Sequence, residues 1–192
     1  MQEIIVAANE AGQRLDKMLA KYLNEAPKSF LYKMLRKKNI VLNGKKATGN
    51  EKLAVGDSVK LFLADETIAK FSNIHAVHTN VTLDIIYEDE NVLLINKPVG
   101  MLSQKAVADD ESLVEHIISY MLETRQLTEE ELRKFRPSVC NRLDRNTSGI
   151  VAAGKTLQAL QGLSEMFRDR TLKKYYLCLV KGQVKENQRI HG

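Results

Sequence analysis

Asn141-Arg142-Leu143-Asp144-Arg145-Asn146-Thr147-Ser148-Gly149 places one carboxylate between two guanidinium groups, inside a run of turn-forming residues. The side chains of Asn146, Thr147 and Ser148 can satisfy nearby backbone, and Gly149 tolerates torsions that other residues avoid. Apolar runs flank the stretch, Ser138-Val139-Cys140 before it and Ile150-Val151-Ala152-Ala153 after it, and each reads as a short strand. Asp144 is therefore predicted to sit on a connection at the edge of a sheet, where chemistry is commonly carried. Neighbouring positive charge favours the ionised form of a carboxylate, which makes Asp144 a candidate nucleophile or base. The plain alternative is a surface ion pair with Arg142 or Arg145, worth about 0 to 1 kcal/mol when exposed.

Outward from this loop, from Val81 onward, the pattern is that of mixed strands and helices. Leu83-Asp84-Ile85-Ile86-Tyr87 and Val92-Leu93-Leu94-Ile95-Asn96 read as strands joined by the acidic turn Glu88-Asp89-Glu90-Asn91. Lys97-Pro98-Val99-Gly100 ends the second strand sharply, and Lys97 reads either as support for that turn or as an active-site cation. Residues 104–111 form a polar loop suited to the passage of a substrate. Ser112 caps a helix with Leu113, Ile117, Ile118 and Met121 toward the core, and Thr128 with Glu131 forms the capping box of a shorter one. Thr156 opens a helix that is apolar at Leu157, Leu160, Leu163 and Phe167. Beyond it Arg168, Arg170, Lys173 and Lys174 make a basic patch, suited to gripping phosphates. A last strand is predicted over 174–180, with Tyr176, Cys178 and Val180 on one face and Tyr175, Leu177 and Leu179 on the other.

The first third differs in charge. Residues 1–63 hold twelve basic and six acidic side chains, whereas the remainder is nearly balanced. A polyanionic partner for the N-terminal module follows. Residues 2–6 suggest an edge strand. Leu15, Met18, Leu19, Tyr22 and Leu23 recur at helical spacing, and a second helix follows Pro27 and Ser29, burying Leu31, Met34 and Leu35. Its other side gathers Lys33, Arg36, Lys37 and Lys38. Ile40-Val41-Leu42 runs into Asn43-Gly44, a strong hairpin signal, then Lys45-Lys46, and Gly56-Asp57 turns into a strand with Val59, Leu61 and Leu63 alternating. Residues 64–80 lose both periodicities and read as a linker.

Several classes are set aside. No apolar run approaches the roughly 18 residues of a membrane span, no signal-peptide pattern opens the chain, and a cytoplasmic location is expected. His75 and His78 stand in H-x-x-H spacing without a third ligand at a recognisable interval, so no metal is expected. No glycine-rich phosphate loop appears, so no nucleotide cofactor is expected either. Cys140 and Cys178 read as reduced, buried small hydrophobes.

Arg142-Leu143-Asp144-Arg145-Asn146-Thr147-Ser148-Gly149 resembles the R-L-D-x-x-T-S-G signature of the pseudouridine synthases that modify large-subunit ribosomal RNA and some transfer RNAs. Asn96-Lys97-Pro98-Val99-Gly100 is similar to the N-K-P-x-G segment of that family. Lys174-Tyr175-Tyr176-Leu177-Cys178-Leu179-Val180-Lys181-Gly182 resembles its K-x-Y-x-A-x-V-x-G strand. Three ordered motifs make a specific signal. Asn141 departs from the usual histidine, but it too can hydrogen-bond through its side chain. In the first third, Arg14-Leu15-Asp16-Lys17 and Ile40-Val41-Leu42-Asn43-Gly44-Lys45 resemble the RNA-binding domain named after the fourth small-subunit ribosomal protein.

The resemblance implies an α+β chain in three parts. A small α/β RNA-binding domain occupies 1–63 and a linker 64–80; the catalytic domain over 81–192 has a mixed, mainly antiparallel sheet with flanking helices. It implies conversion of uridine to pseudouridine in RNA, ribosomal first and transfer RNA second, by a monomer without cofactor. Asp144 would attack or promote glycosidic cleavage, Tyr176 would stack on the uracil and assist late proton removal, and Arg142 would fill the gap left by the extruded base. Arg14, Lys33, Arg36, Lys37, Lys38, Asn43 and Lys45 would hold RNA backbone, which positions rather than specifies. In the family the catalytic domain runs on past the tyrosine strand to an H-Q-x-R-x-H segment whose arginine pairs with the catalytic aspartate. The chain ends at Arg189-Ile190-His191-Gly192, so a catalytic domain incomplete at its C-terminus is expected. A non-catalytic RNA-binding protein, or an inactive truncated synthase, is the competing expectation. A glycosidase is disfavoured because Asp144 lacks a second carboxylate at a defined spacing.

Overall fold

Alternation of apolar and polar residues builds the first sheet. The computed structural model describes residues 1–72, 79–107 and 109–187, so His75, His78 and the final Arg189-Ile190-His191-Gly192 lie outside the described residues. Strands β1 (Gln2–Ile5), β2 (Ile40–Leu42), β3 (Lys45–Lys46) and β4 (Ser58–Leu61) form an antiparallel sheet in the order β1-β4-β2-β3. Asn43 and Gly44 make the β2–β3 turn with φ of 51° and 71°, the left-handed pair that a tight hairpin needs. Helices α1 (Leu15–Tyr22) and α2 (Lys28–Arg36) pack on this sheet through Leu15, Met18, Leu19, Leu31, Met34 and Leu35, all buried.

The predicted linker begins with structure. Residues Asp65–Phe71 form α3, which buries Ile68 in the first core and sets Phe71 against Phe30 with ring centroids 4.8 Å apart. The first core therefore runs on past Leu63. Among the described residues, two apolar side chains of this helix, spaced three apart, reach the core, too few to register as a periodicity.

The second unit has its own core, centred on Leu93, Ile95, Ile117 and Val151. Strands β5 (Ile85–Glu88), β6 (Val92–Lys97), β7 (Ser138–Val139) and β8 (Gly149–Gly154) form a sheet in the order β5-β6-β8-β7. Every pairing in it is antiparallel, and a bulge interrupts β5 between Ile85 and Tyr87. Helix α4 (Leu113–Glu123) turns seven buried residues inward; Glu115 reaches back to the Ser112 N–H at 3.2 Å and hydroxyl at 2.6 Å. Thr128 and Glu131 form the expected box on α5 (Glu129–Leu132). Helix α6 (Leu157–Arg168) is capped by Thr156 and lies against β8 so closely that a Cβ on Gly154 would sit 2.5 Å from the Leu160 nitrogen. Of its four apolar positions, Leu157 alone is fully buried.

Two sequence-based expectations fail near the C-terminus. Residues 174–180 form no strand, and Tyr175, Leu177 and Leu179 are exposed. A strand needs a neighbouring backbone for its N–H and C=O groups, and neither sheet edge, β5 or β7, pairs with this stretch. Cys178, expected inside, is exposed with it.

The two units touch through several side chains: Gln13 Nε2 donates to the Lys134 carbonyl at 3.5 Å, and Lys21 Nζ lies 5.7 Å from the centroid of the Phe135 ring. The Arg133 guanidinium lies 4.3 Å from the centroid of the Tyr22 ring, and its Nη2 donates to the Ser72 hydroxyl at 2.6 Å.

Candidate active site

Strand register brings the two sequence motifs of the second unit together. Lys97, the last residue of β6, is paired with Gly149, the first of β8. The turn after β6 and the loop before β8 therefore leave the sheet at the same corner. They are tied there by a backbone bond and a side-chain bond: the Gly100 N–H donates to the Arg145 carbonyl at 2.7 Å, and the Arg145 side-chain Nε donates to the Gly100 carbonyl at 3.0 Å. Asn141 closes the base of the loop, its Nδ2 donating to the Ile150 carbonyl at 3.1 Å and its Oδ1 accepting from the Ala152 N–H at 2.8 Å.

Lys97 supports the turn, the first of the two readings that its sequence context allowed. Its side chain is fully buried, and Nζ donates to the carbonyls of Pro98 at 2.9 Å and Met101 at 2.8 Å, which fixes the turn. Burial pushes its pKa below the usual lysine value of 10.5, and the Asp144 carboxylate pulls it back up. A charge within electrostatic reach of Asp144 thus comes from this buried ammonium. The two flanking arginines were expected in that role. Among the described residues no ion pair joins Asp144 to either of them: Arg145 turns to Gly100, and Arg142 is exposed without a partner.

Asp144 is exposed, and its backbone carbonyl accepts from the Thr147 N–H at 3.0 Å in a tight turn. A cavity of about 320 Å³ opens beside the loop, lined by Leu83, Asp84, Asn96, Lys97, Met101 and Ser148 among others. Its size falls within the range of small-ligand clefts. Tyr176 is not brought to this corner by any contact: it is 61% exposed, outside every helix and strand, and makes no hydrogen bond or ring contact among the described residues.

The predicted RNA-binding residues divide into two groups. Lys33, Arg36, Lys37, Lys38 and Lys45 are exposed and unpaired among the described residues. Arg14 and Asn43 are engaged internally. Arg14 makes a two-pronged pair with Asp16 at 3.0 and 2.8 Å, and Asn43 donates to Asp57 and accepts from the Ser58 N–H, both at 2.8 Å. Both sets of bonds shape the module. No group of three or more His, Cys, Asp or Glu side chains that could hold a metal occurs among the described residues.

Residues 91–192, more than half of the chain and the part that holds Asp144, match the model of the RNA pseudouridylate synthase family. The chain belongs to that family. This synthase-family chain is 35% identical over 188 residues to ribosomal large subunit pseudouridine synthase C of Salmonella typhimurium, covering 94% of itself and 54% of the relative. It is 34% identical over 188 residues to the Escherichia coli K12 protein of the same name, with the same coverage. The counterpart in Vibrio parahaemolyticus is 32% identical over 200 residues, 99% of this chain and 58% of that one. The chain thus spans about half the length of the curated relatives it matches. A solved structure, human RNA pseudouridylate synthase domain containing 4, aligns over 45% of this chain and 30% of its own with a TM-score of 0.34 and 25% identity.

One residue of the site was not singled out from sequence. Ser103, in the stretch just before the polar loop, is buried against the Asp144 loop. A lone serine beside a loop carries no signal of such a role.

Proposed function

We propose that the chain carries out uridine-to-pseudouridine isomerisation in large-subunit ribosomal RNA, as a cytoplasmic monomer, with Asp144 as the nucleophile or cleavage-promoting carboxylate. The observation that carries the reading is the family match over 91–192 with Asp144 exposed on a loop braced from both sides. The named relatives, all ribosomal large subunit pseudouridine synthase C, support the substrate class. In the reaction the bond from ribose C1′ to uracil N1 breaks, the base turns, and C1′ joins to C5. The C5 proton is lost and N1 gains one, so the change is redox-neutral and needs no cofactor. A carboxylate that forms a covalent intermediate splits this into two easier steps. A base held in a helix cannot reach the loop, so the target must be extruded. Arg142, exposed two residues from Asp144 and without a partner among the described residues, would take the vacated space.

The N-terminal unit, with two helices on a four-stranded antiparallel sheet, is read as the S-four-type RNA-binding domain. Lys33, Arg36, Lys37, Lys38 and Lys45 would meet phosphates, while Arg14 and Asn43 shape the module. Tyr176 in the stacking role requires residues 174–180 to be recruited to the Asp144 corner when RNA is bound. The exposure of that stretch favours the second reading, an RNA-binding protein without catalysis. Incubation with large-subunit ribosomal RNA containing 5-fluorouridine separates the two. A slow-migrating adduct that Asp144→Ala abolishes supports the synthase; RNA binding unaltered by that substitution, with no adduct from the unmodified chain, supports the binder.

A further inference from the structure

The Asp144 carboxylate accepts no hydrogen bond and joins no ion pair among the described residues, so its placement depends on the backbone on either side of it. On the C-terminal side that backbone is held by Gly100, through the reciprocal bonds with Arg145. On the N-terminal side it is held by a single hydroxyl. Ser103 Oγ donates to the Leu143 carbonyl at 2.7 Å and accepts from the Leu143 N–H at 3.0 Å, and the side chain is 4% exposed. Both polar backbone groups of the residue before Asp144 are thus satisfied by one side chain forty positions away in the sequence. That carbonyl belongs to the peptide plane that leads directly into Asp144, so fixing it fixes the direction in which Asp144 leaves the backbone. Ser103 itself sits one residue from Leu102, whose carbonyl accepts from the Leu113 N–H of α4 at 2.8 Å. The segment that carries the hydroxyl is therefore tied, one residue away, to the first residue of α4.

We propose that Ser103 is a positioning residue for Asp144, acting through Leu143 and touching neither RNA nor the reacting atoms; this rests on the reading of Asp144 as the residue that acts on uridine. With alanine at position 103, the Leu143 N–H and carbonyl both lose the partner that Ser103 supplies, and the loop is free to shift. A shift of about 1 Å in a reacting group costs on the order of 100-fold in rate. The inference predicts a loss in kcat of about tenfold to a hundredfold for Ser103→Ala with KM and RNA affinity within about twofold of the parent chain. Ser103→Thr keeps the hydroxyl and should recover most of that loss.

The test measures tritium release from a large-subunit ribosomal RNA transcript labelled at uracil C5, for the parent chain, Ser103→Ala, Ser103→Thr and Asp144→Asn. Amide hydrogen exchange at Leu143 is followed in the same proteins, with Cys140, whose N–H bonds Ala152 at 2.7 Å, as the internal reference. Support consists of a kcat-only loss in Ser103→Ala, recovery in Ser103→Thr, and exchange at Leu143 at least about tenfold faster in the alanine variant while Cys140 is unaltered. If Asp144→Asn is inactive and Ser103→Ala keeps full kcat, the inference is overturned and the synthase reading stands. A kcat loss with unaltered Leu143 exchange overturns it as well, because Ser103 would then act elsewhere. If the parent chain releases no tritium, the synthase reading fails for this chain, and slow exchange at Leu143 that Ser103→Ala leaves unchanged removes the clamp too.

Discussion

Replacing Asn141 by alanine asks how the Asp144 loop is closed. Strand β7 ends at Val139, and the Cys140 N–H adds one more bond to Ala152. Beyond that point the Asn141 amide takes over, donating to Ile150 at 3.1 Å and accepting from Ala152 at 2.8 Å, so a side chain continues what backbone began. Each neutral hydrogen bond contributes about 1 kcal/mol net, and the alanine variant loses two. For a chain of this size about 1 kcal/mol corresponds to 2–4 °C in Tm, so a fall of about 4–8 °C is expected. Asn141→His restores the residue usual in the family signature. A neutral imidazole also has one donor and one acceptor, but on separate ring positions rather than on one carbon, so it replaces one bond and the fall should be about half as large. Thermal unfolding by circular dichroism measures both, and amide exchange at Ala152 should quicken in the alanine variant. A Tm for Asn141→Ala within about 1 °C of the parent, with Ala152 exchange unaltered, would refute this closure.

Gly154→Ala places a Cβ 2.5 Å from the Leu160 nitrogen and 2.6 Å from its Cα; the helix must move, and overpacking of this kind costs about 1–3 kcal/mol, which a urea midpoint will show. An unchanged midpoint would mean that α6 does not rest there. His116 is buried on α4, and burial lowers its pKa from 6.5 while Glu111 and Glu115 oppose that shift. Below 6.5 the unfolded chain holds a proton that the folded one resists, so stability declines as pH falls from 6.5 through the lower folded value. His116→Gln should lose that acid-side decline, and denaturant titrations across the window that leave the decline intact would count against it. Substituting Lys37 and Lys38 together by alanine should make the dependence of log affinity for RNA on log salt shallower by roughly 1.4–1.8, about 0.7–0.9 for each phosphate no longer neutralised. An equal slope in the parent and the variant would place the RNA elsewhere.

Much of the fold was legible because its elements announce themselves locally. The Asn43-Gly44 turn, the Ser112 and Thr128 caps and the apolar stripe of α4 each carry their signal within a few residues. What failed depended on contacts between distant positions. Helix α3 exists because Ile68 and Phe71 find the first core, and residues 174–180 have the alternation of a strand but pair with neither edge of the second sheet. The site was legible in the same uneven way. Asp144 on a loop between two strands followed from local pattern, and Lys97 was noticed at a sharp turn. That the turn holding Lys97 and the loop holding Asp144 leave the sheet at one corner follows from the β6–β8 register, which no local pattern encodes. Asn43 and Arg14 illustrate the converse: each looked free to bind RNA, and each is held by a carboxylate nearby in the fold.

The most direct test of the central claim is single-turnover tritium release from C5-labelled uridine in large-subunit ribosomal RNA, by the 192-residue chain and by Asp144→Asn. The account predicts release by the parent chain and none above background by the variant, with both binding the RNA equally. Equal release by the two, or none from either with RNA binding intact, would contradict it.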